Sequence, residues 1–168
     1  MLPSLGATRF LQDRHGTQVM SPSLTDVKKA LLAAGFEVYR TSGKEVQVAD
    51  RVRDNLIMDS GVSVRAESSL AVRVIVRAQL SDFPADSPES LFDRARTAAA
   101  FVLSRGYQEI EAQETPMRDP VDPARTLDTW YEVCYEKNVD RIDEAMAEVG
   151  FAPKSRRRRA DPTRRRGK

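Results

Sequence analysis

The chain has 168 residues, 40% hydrophobic and 31% charged, with 27 Lys+Arg against 25 Asp+Glu. That length suits one domain plus a tail, with a core large enough to need neither disulfide nor structural metal. The single cysteine, Cys134, excludes an internal disulfide, and the single histidine, His15, excludes His-rich metal sites and most His-based triads. No apolar run approaches the ~18–20 residues of a membrane-spanning helix.

The net charge of +2 is unevenly spread. Residues 154–168 hold nine basic side chains and one acid, a net +8; the other 18 basic and 24 acidic groups leave −6 on residues 1–153. An acidic body therefore carries a polycationic end, and the pI of 8.8 belongs to that end.

Residues 1–22 read as a flexible leader. They lack the charged start and continuous apolar stretch of a secretory signal, and both Met1 and Met20 are candidate starts. With a lone cysteine, a cytoplasmic location is expected. His15 reads as a solvated leader residue.

The first helix is expected over 24–34. Ser23 caps it, with Asp26 completing a Ser-x-x-Asp capping box. Leu24, Val27, Leu31 and Ala34 form its apolar face, and Gly35 stops it. Residues 36–41 and 45–49 read as strands around a Ser42-Gly43 turn. Two arrangements fit 50–66. One is a short helix capped by Asp50. The other, preferred, pairs 53–58 with 62–66 across an Asp59-Ser60-Gly61 turn.

Leu70 to Leu80 is the clearest strand. Val72, Val74, Val76 and Ala78 alternate with Arg73, Ile75, Arg77 and Gln79, so one face is covered and the other wet. A helix opens at Ser87-Pro88, carries Leu91, Phe92, Ala95, Ala98, Ala99, Val102 and Leu103 inward, and stops at Gly106. Residues 107–114 read as a strand, 116–125 as a loop with three prolines, and 127–136 as another strand. Its Leu127, Thr129, Tyr131, Val133 and Tyr135 lie opposite Asp128, Trp130, Glu132, Cys134 and Glu136. The last helix is expected over 139–149, capped by Asn138 or Asp140 and stopped by Gly150. Gly35-Phe36, Gly106-Tyr107 and Gly150-Phe151 then read as three ordinary helix stops. From 153 onward apolar periodicity ends, and a disordered basic tail is expected over 153–168.

The expected fold class is α+β: a single antiparallel sheet over 23–152 with helices packed on one side, in the order α-β-β-(β)-β-α-β-β-α. This order is similar to that of bacterial type III secretion chaperones and the related sensory-transduction-regulator domains. The resemblance covers about residues 23–151 and rests on topology and the acidic body, without a shared motif. It implies a small, often dimeric, non-enzymatic protein, and it assigns no residue a role. A ferredoxin-like sheet is the rival: 70–80, helix, strand, strand, helix follows that order, with an N-terminal strand needed to stand in for the missing last one.

Arg156, Arg157, Arg158, Arg159, Arg164, Arg165 and Arg166 are the candidate polyanion-binding residues. Guanidinium groups pair with phosphates bidentately, and counterion release makes such binding salt-sensitive and sequence-independent. Docking on an acidic protein surface and simple solubility are the competing readings. Glu109 and Glu111, two apart, are expected on one face, with Glu132 and Glu136 sharing a face of the next strand. Together they form a candidate cation or acid–base cluster, set against the commoner wet sheet face. Cys134 lies among acids, the wrong surroundings for a reactive thiolate. Trp130 is the candidate protein-interface anchor. No phosphate-binding glycine loop or nucleophile elbow occurs, so no cofactor, metal or catalytic residue is assigned. The functional expectation is a non-catalytic binding, adaptor or chaperone-like protein acting through its acidic body on a protein partner or a second copy. The alternative is a nucleic-acid-associated protein using the arginine tail.

Overall fold

Ser23, itself in an extended conformation, caps the first helix. Its hydroxyl accepts the Asp26 N–H at 3.2 Å, and the Asp26 carboxylate accepts the Ser23 N–H at 3.1 Å, closing the expected capping box of α1 (Leu24–Ala33). Val27 and Leu31 are fully buried, each contributing up to ~1.5–3 kcal/mol. Gly35, at φ +81°, turns the chain out of the helix. The structure, a computed structural model, describes residues 22–53 and 56–157. The leader up to residue 21 and the tail from Arg158 lie outside the described residues, and so does the expectation of disorder over 158–168.

β1 (Val38–Ser42) and β2 (Glu45–Arg53) form a hairpin, which Gly43 turns at φ +56°. β3 (Leu56–Ala66) follows, then β4 (Leu70–Gln79), a short 3₁₀ turn (Leu80–Asp82), α2 (Pro88–Ala98), α3 (Ala100–Leu103), β5 (Gln108–Arg118), β6 (Thr126–Val139) and α4 (Ile142–Arg157). The six strands form one sheet in the order β1-β2-β3-β4-β6-β5, every neighbouring pair antiparallel. The α+β class is as expected: an open antiparallel sheet with its helices packed against it. β4 and β5 flank β6, a split βαβ arrangement. β3 occupies the other side of β4, the place the rival reading reserved for an N-terminal strand.

The core lies between sheet and helices. Val46, Val64, Val72, Val74 and Val133 are fully buried from the sheet side, and Leu91, Ala95, Ala99 and Val102 from α2 and α3. Phe92 meets Tyr131 edge to face at 5.2 Å. Glu148 of α4, 6% exposed, accepts two hydrogen bonds from Arg105, each 3.0 Å, and one from Lys137 at 2.8 Å. It thereby ties the last helix to the sheet and to the end of α3. No helix among the described residues is long and apolar enough to cross a membrane.

Four local expectations are corrected. Asp59-Ser60-Gly61 is not a hairpin turn: β3 continues through it as one strand, paired with β2 on both sides. Pro116 does not end its strand, because β5 is an edge and a missing N–H on its outer side costs no ladder bond. Gly150 does not stop its helix. Its φ is not positive, Phe151 packs on Phe101, and Ala152 is still buried, so tertiary contacts carry α4 on to Arg157. That helix also starts later than expected: Asn138 remains in β6 opposite Ala71, and the Arg141 carbonyl accepts the Ala145 N–H.

Candidate functional site: the open edge of β4

A three-residue sequence, Asp59-Ser60-Gly61, decides where the sheet opens. Gly61 sits at φ +72°, a conformation that favours glycine. The Asp59 carboxylate accepts the Gly61 N–H at 2.8 Å. Ser60 is buried, donates to the Val48 carbonyl at 2.8 Å and accepts the Val62 N–H at 3.1 Å. Gln47 pairs with Ser63 and Ala49 with Asp59, so β3 carries extra residues opposite Val48. Such a bulge bends its strand and increases the twist.

The bend separates β3 from β4. Their last paired residues are Val62 and Val74, after which Leu56–Asp59 pairs only with β2. β4 continues along β6 to the Gln79–Trp130 pair. Among the described residues, Val76–Gln79 thus has a strand on one side only.

A groove of about 580 Å³ lies there, between Ala78 and Gln79 of β4, Phe83, and Asp93, Thr97 and Ala98 of α2. Its wall is fixed. Ser81 donates its N–H and hydroxyl to the Asp128 carboxylate at 3.0 and 2.7 Å, and the hydroxyl bond leads in holding that carboxyl below its ordinary pKa. Arg94 pairs with Asp86 and lays its guanidinium 4.1 Å from the Phe83 ring centre. Arg77 turns to the sheet face, donating to Glu132 at 2.6 Å, with its guanidinium 4.6 Å over Trp130 and 3.6 Å from the Asp59 carboxylate of β3. Both arginines of the groove are therefore engaged by acids. Asp82 has no ion-pair partner among the described residues. Asp93 is 76% exposed in its side chain, with Arg96 at 3.6 Å. The unneutralised charge of the groove is negative.

The helix-free face of the sheet is a lattice of opposed charges. Arg73 donates to Glu136 at 2.6 Å and lies 3.9 Å from Glu45; Thr115 donates to Glu132 at 2.7 Å. A shallow hollow of about 190 Å³ in this lattice is lined by Cys134, Arg73, Glu111 and Ser63 among others. Burial pushes the Cys134 thiol up to about 11, against the pull of Arg73 and with the push of Glu111, Glu136 and Glu45.

The candidate cluster of four carboxylates does not form. A bulge at Ile110 places Glu109 opposite Tyr135 and Glu111 opposite Cys134. Glu109 consequently meets Arg96 of α2 at 2.9 Å while Glu111 lines the opposite face. Glu132 and Glu136 do share a face, each held by an arginine. Trp130 is half-buried on the helix-free face, one strand in from the groove. Of the candidate polyanion-binding residues, Arg156 and Arg157 lie in the last turn of α4, and Arg158, Arg159, Arg164, Arg165 and Arg166 lie outside the described residues. Sequence reasoning missed Asp82, Asp93 and Thr97. The available signal was a glycine inside an otherwise continuous strand pattern, which reads as a bulge as readily as a turn.

No protein-family model, curated protein or solved structure matches the chain.

Proposed function

We propose that the protein is a non-catalytic binding protein, adaptor-like or chaperone-like, that holds a partner protein in the groove between β4 and α2. The observation that carries this reading is the groove itself: a fixed recess beside a strand whose outer side is unfilled. Apolar Phe83 and Ala98, polar Thr97 and the acids Asp82 and Asp93 line one surface, the composition of a site that recognises polypeptide. Arg77, which lines the groove, and Trp130, beneath its guanidinium on the next strand, are residue types that anchor interfaces.

A photo-crosslinking residue at Thr97, inside the groove, tests it in the native host. The expected result is one discrete crosslinked protein species, absent when the crosslinker replaces Val121, which is 91% exposed and does not line the groove. The same products from both positions, or none from Thr97, would overturn the reading.

A second reading rests on α4. Arg156 and Arg157 lie in its last turn, and the sequence continues with five further arginines, a composition suited to phosphates. Deleting 158–168 abolishes salt-sensitive binding to a generic DNA duplex if this reading holds, and leaves the crosslink at residue 97 intact.

A further inference from the structure

Resting on the groove reading above, we infer that the partner enters as an extended segment, added as a strand to the open side of β4, and that it carries a basic side chain toward Asp82 and Asp93. The argument starts from the backbone. Residues of an antiparallel strand point their N–H and C=O groups alternately to one neighbour and the other. β6 satisfies one set along β4. Over Val76–Gln79, two of the four residues direct theirs to the side that β3 has left. Unpaired strand edges template another strand, and a four-residue vacancy is about 13 Å long.

This vacancy differs from the two outer edges of the sheet. β5 is guarded by Glu109, Glu111, Glu114 and Pro116, and β1 by a register break between Val38 and Arg40, both devices that discourage edge pairing. The side of β4 carries one charge, Arg77, and it is engaged by Glu132 and Asp59 on the helix-free face. Its residues Val76 and Ala78 are buried on the helix side, so a strand laid beside them continues an existing hydrophobic layer and meets Ala98 and Phe83. Strand addition draws affinity from main-chain hydrogen bonds and selectivity from alternate side chains. Charge supplies the selectivity here: Arg77 is held by Glu132 and Asp59 and Arg94 by Asp86, whereas Asp82 is without an ion pair among the described residues and Asp93 is largely exposed. A lysine or arginine on the incoming segment completes the set.

The test uses the full-length chain and a displayed library of random decapeptides. Selected peptides are expected to slow amide exchange at alternate positions of Val76–Gln79 by tenfold or more. N-methylating alternate peptide nitrogens is expected to abolish binding, a change that leaves the protein untouched. Replacing the peptide's basic residue by Glu should weaken binding at least fivefold, and Asp93→Lys should reverse that preference. Selected peptides that leave these amides unprotected, or protect β1 or β5 instead, overturn strand addition. So does faster exchange at Val76–Gln79 on dilution, which makes the occupant a second copy, or on deletion of residues 158–168, which makes it the chain's own tail. A crosslink from residue 97 that persists without amide protection leaves the groove reading standing and removes only this inference.

Discussion

Arg77 of β4 and Glu132 of β6 are directly opposed in the ladder, and the Arg77 Nε donates to the Glu132 carboxylate at 2.6 Å. Glu132 is 7% exposed and also accepts from Thr115 and Gln113. A buried carboxylate that loses its cation bears a desolvation cost no solvent offsets. The pair also engages the Arg77 charge and leaves the acids of the groove uncompensated.

Arg77→Ala should therefore destabilise the fold by about 2–3 kcal/mol, while Glu132→Gln, which keeps an acceptor for Thr115, should cost about 1 kcal/mol. Urea unfolding of the two variants and the double variant measures both. A coupling near zero between the two sites would remove the pair as a contributor.

Glu148 predicts acid sensitivity. Burial opposes its charge, but hydrogen bonds from Arg105 and Lys137 outweigh that and hold its carboxyl below the ordinary range. Glu109, held down chiefly by its bond to Arg96, shifts in the same direction. A carboxylate depressed in the folded state binds its proton more readily when unfolded, so its stabilisation is fully present above the unfolded value of about 4.3. It is lost as pH falls through the lower folded value. Unfolding free energy should be flat from pH 7 to about 5 with respect to these groups and fall below that. Glu148→Gln should be less stable at pH 7 and show a shallower fall; an unchanged slope would count against the assignment.

Gly61 predicts a backbone effect without loss of contacts. At φ +72°, Gly61→Ala should cost about 1–2 kcal/mol, and Gly61→Val more, because a branched side chain tolerates that conformation worse. Thermal unfolding reads the cost. Any relaxation that straightens β3 onto β4 fills the open edge, so the crosslink from residue 97 should weaken in parallel.

Cys134 predicts a slow thiol. With its pKa pushed up to about 11 by burial, alkylation by iodoacetamide at pH 8 should run about a hundredfold slower than for a free cysteine. In denaturant the rate should return to the free value. Rapid native alkylation would place the thiol in different surroundings.

The elements that were legible in the sequence are those fixed by near neighbours. Ser23 and Asp26 meet within one helical turn, so their capping box is written locally. The alternation from Val72 to Ala78 requires one covered face whatever covers it, and Ser87-Pro88 starts a helix by its own geometry. Glu132 and Glu136 share a face because no bulge interrupts their stretch of β6. Glu109 and Glu111 do not, because the extra residue at Ile110 is defined only against the partner strand. The groove was illegible for the same reason: its residues come from β4, α2 and the loop between them, and nothing in their spacing marks the strand that is missing beside them.

By itself, then, the sequence determined an acidic α+β body with a basic end, the inward faces of its strands and helices, and most of their boundaries. These depend on side-chain period, capping chemistry and turn residues acting over a few positions. Only the tertiary structure decided that Asp59-Ser60-Gly61 bends a strand and does not reverse it, that Pro116 lies on an edge, that α4 passes Gly150, and that β4 is left open beside α2. Each of those outcomes depends on which distant segment supplies the next hydrogen bond or the next buried surface, and that information resides in pairing across the sheet.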